Sequence, residues 1–155
     1  MKLFRIERKK YLKTTLTGMG AAKSNGFRWN SEETRLVYTA ESRALAALEV
    51  AVHLDLNSDL PNDRYFVEIE IPDDISAMEV DIKDLPENWD SKPPIILTQT
   101  IGDDFVLNNQ AAILKVPSCI IPNEFNYLIN PTHPDSKKIK IINQTHWKFD
   151  ERLKN

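Results

Sequence analysis

Glu49 is the residue whose type and surroundings most strongly suggest chemistry. Residues 40–54 are predicted to form a helix that is apolar in nearly every direction, a pattern typical of a buried helix. Its polar stripe, at helical spacing, consists of Ser42, Ala46, Glu49 and His53. Because a buried carboxylate is costly unless it is paired or faces water, Glu49 belongs either to a solvated stripe or ion pair, or to a cleft. In a cleft it could stabilise positive charge or transfer a proton.

Arg28 and Tyr38 are two further residues with chemical potential. An arginine fork can bind a diphosphate through paired hydrogen bonds, and nearby glycines would allow close approach of the backbone. These glycines are Gly18, Gly20 and Gly26. A surface-loop arginine explains Arg28 equally well, with Trp29 in the core. Tyr38 ends a short predicted strand, where its ring could stack on a flat ligand ring, although a core position is the more common one.

The serine, cysteine and histidine residues exclude several classes of enzyme. Ser118 follows Pro117 with no histidine beside it and no Gly-x-Ser-x-Gly elbow, so a Ser-His-Asp hydrolase is not supported. From the residues alone, Ser118 is a turn hydroxyl. The single cysteine, Cys119, cannot form an internal disulfide and is expected to be a buried, inert thiol. The histidines lack zinc spacing, so we expect no metal.

Composition bounds the class of protein. The 155 residues are 41% apolar and 28% charged, which predicts one globular domain over residues 1–155. A net charge of −3 gives no basic excess of the kind that marks a nucleic-acid surface. The N-terminus lacks a signal-peptide pattern, and the longest apolar run, Ala44–Leu48, is far short of the roughly 20 residues that span a bilayer. We therefore expect a soluble, cytoplasmic protein without membrane contact.

The apolar pattern predicts an α+β domain with short strands and one dominant buried helix. The helix over 40–54 would have Thr39 as its N-cap and Glu41 in its first turn. A second helix is predicted over 98–109. Predicted strands cover 2–8, 36–39, 65–71, 78–82 and 111–116, with a closing hairpin of 138–142 and 146–149 about Asn143 and Gln144. Residues 9–34 are predicted to be a long polar loop, and 118–138 a turn-rich stretch.

The order of several motifs resembles the RES domain family, the toxins of bacterial RES/Xre toxin–antitoxin pairs. The motifs are Thr-Gly-Met-Gly-Ala-Ala at 17–22, Gly-Phe-Arg-Trp-Asn at 26–30, Val-Tyr-Thr-Ala-Glu-Ser at 37–42, Ala-Leu-Ala-Ala-Leu-Glu at 44–49, Ile-Leu-Lys-Val-Pro-Ser at 113–118 and Asn-Tyr-Leu-Ile-Asn-Pro-Thr-His-Pro at 126–134. The resemblance covers nearly the whole chain. Phe27 departs from it, because the family usually has a second glycine there.

The resemblance implies a fold similar to the ADP-ribosyltransferases, with small β-sheets enclosing an NAD cleft and helices around them. It also implies that the chain is an enzyme that consumes NAD as a substrate, without a resident cofactor, by cleaving the nicotinamide–ribose bond. The family's arginine, glutamate and serine fall on Arg28, Glu49 and Ser118, and its aromatic site residue on Tyr38. In this interpretation Glu49 stabilises the ribose cation, Arg28 holds the diphosphate and Tyr38 stacks on nicotinamide.

Two further site residues follow from the same resemblance. Ser118 would bind nicotinamide or ribose, and Asn130 is a weaker candidate for substrate binding. The acceptor of ADP-ribose stays open between phosphate, water and a protein, and a non-catalytic module with an NAD-like cleft is the alternative from another class. The implied partner is an Xre-type helix-turn-helix antitoxin that binds DNA itself, which agrees with the acidic charge of this chain. The oligomeric state stays open, with a homodimer inside the complex as one option.

Overall fold

The computed structural model describes residues 1–55, 58 and 60–154, which form a sheet flanked by helices. The strands are β1 (Lys2–Arg8), β2 (Val37–Ala40), β3 (Arg64–Glu70), β4 (Ala77–Glu79), β5 (Ile113–Pro117), β6 (Phe125–Ile129) and β7 (Lys140–Trp147), and the α-helices are α1 (Met19–Ala22), α2 (Arg43–Ala51) and α3 (Ile96–Asn108). Short 3-10 helices cover Lys9–Thr17, Ile82–Asp84, Pro134–Lys138 and Glu151–Leu153. Within these described residues, no helix has the length and apolar character needed to cross a membrane.

The seven strands are hydrogen-bonded in the order β4-β5-β6-β2-β1-β3-β7. Every neighbouring pair is antiparallel except β4 and β5, which run parallel. The ladder narrows to a single residue pair, Phe4 with Ala40, where β1 meets β2. The predicted α+β class is confirmed. The strands form one sheet, and its weakest pairing is the one between β2 and β1.

Alternation along β2, β5 and β6 sorts their side chains onto two faces, because successive residues of a strand point to opposite sides. One face packs with β1 and β3 into a core that includes Leu3, Val37, Val67, Ile69, Ile113 and Ile129. The other, which we call the site face, carries Tyr38, Ala40, Leu114, Val116, Asn126 and Leu128. The ladder pairs Tyr38 with Leu128 and Ala40 with Asn126, so these side chains are neighbours on that face. Trp29, Leu36 and Phe105 cover part of it.

Helix α2 begins later than the sequence predicts. Its N-cap is Ser42, whose Oγ accepts from the Leu45 N–H at 3.0 Å. Thr39 remains in β2 and donates from Oγ1 to the Tyr127 carbonyl at 2.6 Å. Glu41 precedes the helix, and its carboxylate accepts from the Phe125 N–H at 2.9 Å. The predicted cap was wrong because the ladder with β6 holds residues 37–40 extended.

The burial predicted all round this helix was also wrong. Leu45 and Ala46 are buried, whereas Leu48 is 40% exposed and Val52 is 48% exposed. Because Glu49 follows Ala46 by three residues, both lie on the same, inward side of α2. The helix therefore presents Glu49 to the sheet. Glu49 lies on the side of α2 that packs against the protein, whereas the prediction had placed it on a polar stripe of a helix buried on all other sides.

Three other segments differ from the prediction. Strand β6 lies in the stretch 118–138 that was predicted to hold turns alone. Strand β7 is one continuous strand on β3, with a register shift between Glu68 and Ile69, where a hairpin about Asn143 and Gln144 was predicted. The predicted long loop 9–34 contains the Lys9–Thr17 3-10 helix and α1. The first two of these segments became strands because β6 pairs with β2 and β5, and β7 pairs with β3. These tertiary pairings outweighed the turn propensity of their polar residues.

Helix α3 holds the segment 26–30 against the sheet. A Cβ at Gly102 would lie 1.6 Å from the Trp29 carbonyl oxygen, so only glycine allows the approach. Gln99 donates from Nε2 to the Phe27 carbonyl at 3.1 Å. Asp103 accepts from the N–H of Ser31 at 3.0 Å and from its Oγ at 2.5 Å. These contacts fix the position of Arg28, which lies within the clamped segment.

Candidate active site

Glu49 meets Ser118 and Asn126 where the end of α2 crosses the site face. Its Oε1 accepts from Asn126 Nδ2 at 2.5 Å and from Ser118 Oγ at 3.4 Å. The Ser118 hydroxyl also accepts from the N–H groups of Ile120 and Ile121, at 3.1 and 3.2 Å. With its lone pairs on the turn, Ser118 directs its single proton at the carboxylate. The serine therefore orients Glu49, and nothing in this geometry activates it as a nucleophile.

Asn126 is a site residue that the sequence analysis missed. Its side-chain Oδ1 is buried and, within the described residues, has no hydrogen-bond partner. An orphaned buried acceptor costs about 1–3 kcal/mol, which makes such atoms rare in native structures. The signal was present in the alternation Asn126–Leu128 on a strand, but β6 itself was not predicted.

Tyr38 contributes its ring rather than its hydroxyl to the site. The hydroxyl donates to Asn30 Oδ1 at 2.7 Å and accepts from the Trp29 N–H at 3.2 Å. Burial raises the pKa of the phenol far above its ordinary value, and the Trp29 N–H opposes this. Asp103 and Glu49 raise the same pKa by smaller amounts, and Arg28 lowers it. The phenol stays protonated at physiological pH and cannot act as a base.

Tyr38→Phe is expected to destabilise the fold, because it leaves the Trp29 N–H and Asn30 Oδ1 without their partner. The cost is about 1–3 kcal/mol, and each kcal/mol lowers Tm by roughly 2–4 °C in a domain of this size. Thermal unfolding followed by circular dichroism measures it. Tyr127→Phe, on the opposite face of the same ladder, is the matched control and should shift Tm by less than about 2 °C. Equal shifts would contradict the hydroxyl's structural role.

Arg28 is anchored to a distant loop and keeps one edge free. Its Nη1 donates to the carbonyls of Trp89 and Ser91 at 2.7 and 3.2 Å, and its Nη2 donates to Ser91 at 3.2 Å. A guanidinium has five N–H donors, of which these contacts use three. In the described part of the chain, Nε–H and the outer Nη2–H have no partner. These two parallel donors form the fork that binds a phosphate bidentately.

Phe27 and Gly26 complete the segment beside Tyr38. The Phe27 ring is 40% exposed and packs edge-on against Tyr38, with centroids 5.5 Å apart. Gly26 adopts a φ of +91°, which favours glycine, and its backbone lies close to Gln99 and Asn30. Phe27 therefore adds an exposed aromatic edge next to Tyr38, where the family's second glycine would leave open space.

Asn130 does not join this cluster. It lies four residues from Asn126 along β6 and its turn, about 13 Å at strand spacing. It is fully buried, donates from Nδ2 to Asn109 at 2.9 Å and accepts from Thr132 N–H and Oγ1 at 3.0 and 2.7 Å. Both the donor and the acceptor side of its amide hold the turn after β6. This geometry supports a structural role, where substrate binding was predicted.

Two smaller predictions concern the thiol and metal ions. Cys119 is half-buried, not fully buried as predicted, and packs against the core that includes Trp29 and Phe105. Across residues 1–55, 58 and 60–154, no group of three or more His, Cys, Asp or Glu side chains is placed to hold a metal ion. The site described above consists of a carboxylate, a guanidinium, an amide and aromatic rings.

The comparison with known families identifies the class of protein. The sequence model of the RES domain matches residues 2–150. The chain belongs to the RES domain family, and it is a toxin of the RES type.

Two relatives show how close the similarity is. The chain is 44% identical over 140 residues to the Prs ADP-ribosylating toxin of Sphingobium sp. (strain YBL2). The alignment covers 89% of this chain and 86% of that protein. It is 37% identical over 155 residues to Toxin Res of Yersinia enterocolitica, and this alignment covers 99% of this chain and 100% of that protein.

A solved structure shows the same fold. The crystal structure of the M. tuberculosis MbcT–MbcA toxin–antitoxin complex contains a chain that superposes with a TM-score of 0.74 at 13% identity, covering 98% of this chain and 85% of that chain.

Proposed function

We propose that this protein is the toxin of a toxin–antitoxin pair and that it depletes NAD by breaking the nicotinamide–ribose bond. The observation that carries the proposal is the half-buried Glu49 carboxylate, held by Ser118 and Asn126 at 3.4 and 2.5 Å. A carboxylate oriented by two donors beside aromatic rings is suited to a reaction in which positive charge develops on a sugar.

The chemistry follows from the bond that breaks. When the bond between ribose C1′ and the nicotinamide nitrogen breaks, both electrons leave with nicotinamide, which becomes neutral. The ribose becomes an oxocarbenium-like cation, as in glycoside hydrolysis. An oxygen of the acceptor donates a lone pair to C1′, and its proton passes to solvent. Glu49 stabilises the cation and holds a ribose hydroxyl, while Ser118 and Asn126 keep its carboxylate in place.

The remaining side chains account for binding the dinucleotide. The free Nε–Nη2 edge of Arg28 matches two oxygens of the diphosphate. The rings of Tyr38 and Phe27 supply apolar surface for the flat nicotinamide. Tyr38 and Asn126, which binds Glu49, share the site face, and the N–H of Trp29, the residue after Arg28, donates to the Tyr38 hydroxyl. We infer that one ligand spans Arg28, Tyr38 and Glu49.

Three acceptors of ADP-ribose are open, and they give two different outcomes. Phosphate or water as the acceptor gives NAD depletion, our first candidate. A protein acceptor gives ADP-ribosylation, and it is favoured by the name of the 44% identical relative, an ADP-ribosylating toxin. Both share the nicotinamide-leaving step, so the residues described above serve either.

The partner we propose is an antitoxin with an Xre-type helix-turn-helix module. The support is the similarity in fold to a chain of a solved toxin–antitoxin complex. The formal charge of −3 on the toxin leaves contact with DNA to the partner.

Product analysis tests the proposal. Purified protein is incubated with NAD labelled in its adenylate half, with and without phosphate, and with a bacterial lysate. We expect nicotinamide release whenever the acceptor is supplied, which is protein alone if the acceptor is water, added phosphate if it is phosphate, and added lysate if it is a protein. Free ADP-ribose identifies water as the acceptor, phosphorylated ADP-ribose identifies phosphate, and a labelled protein band identifies transfer. Absence of nicotinamide under every condition would leave a non-catalytic binding module.

A further inference from the structure

Asn126 is a side chain of the site whose amide uses its donor and leaves its acceptor without a partner. Its Nδ2 donates to Glu49 Oε1 at 2.5 Å, whereas its Oδ1 is buried without a partner among the described residues. The orientation of the amide follows from its neighbour, because the flipped amide would place Oδ1 against the carboxylate oxygen. The unpartnered atom is therefore an acceptor, and the group that completes it must be a hydrogen-bond donor.

The position of Asn126 indicates where that donor comes from. Asn126 pairs with Ala40 on one side and with Val116 on the other, so it sits on the site face between β2 and β5. Both neighbours are buried and apolar, and neither has a side-chain donor. Ser118, the nearest hydroxyl on this face, already directs its proton to Glu49. The donor to Oδ1 therefore comes from outside the described residues.

We propose that Asn126 binds the nicotinamide ribose of the substrate through Oδ1 while it positions the Glu49 carboxylate through Nδ2. The hydrogen bonds to Glu49 from described residues fall on Oε1, which leaves Oε2 as a second acceptor on the side chain that Asn126 contacts. Two acceptors on neighbouring side chains match two donors on neighbouring carbons, and the vicinal hydroxyls of a ribose supply them. The inference rests on the proposed NAD cleavage and adds a sugar-binding residue to it.

The first experiment pairs a protein change with a substrate change. Asn126→Ala should lower kcat/KM for NAD by about tenfold or more, because a hydrogen bond to a charged group is lost. With NAD analogues that lack the 2′- or the 3′-hydroxyl of the nicotinamide ribose, one analogue should reduce the ratio of wild-type to variant kcat/KM by about threefold or more, because only the loss of the Glu49 contact then remains. A loss of the same factor for NAD and for both analogues would overturn the contact with the sugar.

The second experiment separates positioning from mere packing. Asn126→Asp keeps the size and Oδ1 but replaces the donor with a second carboxylate. At pH 8 the two carboxylates repel, whereas on acidification one shared proton restores a donor to Glu49. The ratio of variant to wild-type kcat/KM should therefore rise at least about tenfold between pH 8 and pH 5. A ratio that is constant with pH would overturn the positioning role.

Other charged groups near Glu49 do not confuse this readout. The Tyr38 phenol stays protonated because burial raises its pKa, and a guanidinium such as Arg28 does not titrate in proteins. Asp103, which is bound to Ser31, and the exposed His53, which follows the end of α2, are present in every protein compared and contribute equally to each profile.

A matched control exists on β7. Asn143 donates to Glu68 Oε1 at 3.4 Å on the exposed edge of the sheet, so Asn143→Asp makes the same change beside a carboxylate far from the site. It should leave kcat/KM and its pH profile unchanged.

Two outcomes separate this inference from the proposed function. If wild type releases no nicotinamide from NAD, both the proposed function and this inference are wrong. If wild type cleaves NAD while both Asn126 variants match it at every pH, the inference alone is overturned.

Discussion

Glu49→Gln is expected to abolish most nicotinamide release while leaving the fold intact. The amide oxygen of glutamine can still accept from Asn126 and Ser118, so the local hydrogen bonds remain and only the negative charge is lost. Removing one preorganised electrostatic contact to a transition state costs on the order of 100- to 1,000-fold in kcat. Steady-state kinetics with NAD would show the loss in kcat, with a much smaller change in KM.

The matched control for this substitution is Glu79→Gln. Glu79 lies on β4 at the edge of the sheet, where it pairs with Lys115 at 2.8 Å. It should retain wild-type kcat, and both variants should melt within a few degrees of wild type. A folded Glu49→Gln protein with unchanged kcat would remove Glu49 from the chemistry.

Arg28→Ala is expected to weaken binding of the intact dinucleotide at least about tenfold, including analogues that do not react. A charge-assisted hydrogen bond contributes about 1.5–3 kcal/mol, and the free edge of Arg28 can form two of them. Because this contact is made equally in ground and transition states, the loss should appear mainly in KM. Arg28→Lys should restore binding only in part, since a point charge cannot reproduce the fork.

Arg28 also anchors the loop that contains Trp89 and Ser91, so stability must be measured alongside binding. Calorimetric titration of an unreactive NAD analogue into wild type, both Arg28 variants and Arg152→Ala makes the comparison. Arg152 is an exposed arginine paired with Asp150, and its loss should leave the dissociation constant unchanged. Equal dissociation constants for all four proteins would show that Arg28 does not bind the diphosphate.

The parts of the fold that follow from local patterns could be predicted from the sequence. The alternation in 2–8 and 65–71 predicts β1 and β3, because each has one face in a core. The apolar spacing of 98–109 predicts α3 to within two residues at its start. Trp29 in the core was likewise predicted, and it is 2% exposed.

The parts that depend on distant partners could not be predicted. The five residues 125–129 form β6 because they fit between β2 and β5 and pair with both strands. This strand was not predicted because the surrounding prolines indicated turns. Without β6, nothing places Asn126 beside Glu49, 77 residues away in sequence. The contact of Arg28 with Ser91, 63 residues away, has no local signal either. Sequence patterns therefore found the charged residues of the site but not the amide that holds Glu49.

The most direct test of the account is a time course of NAD and nicotinamide by proton NMR in the presence of the purified protein. We predict that nicotinamide appears in equal amount to the NAD that disappears, and that Glu49→Gln at the same concentration slows both by two orders of magnitude or more. If wild type leaves NAD intact, or if Glu49→Gln matches wild type, NAD is not cleaved at the site formed by Glu49, Ser118 and Asn126.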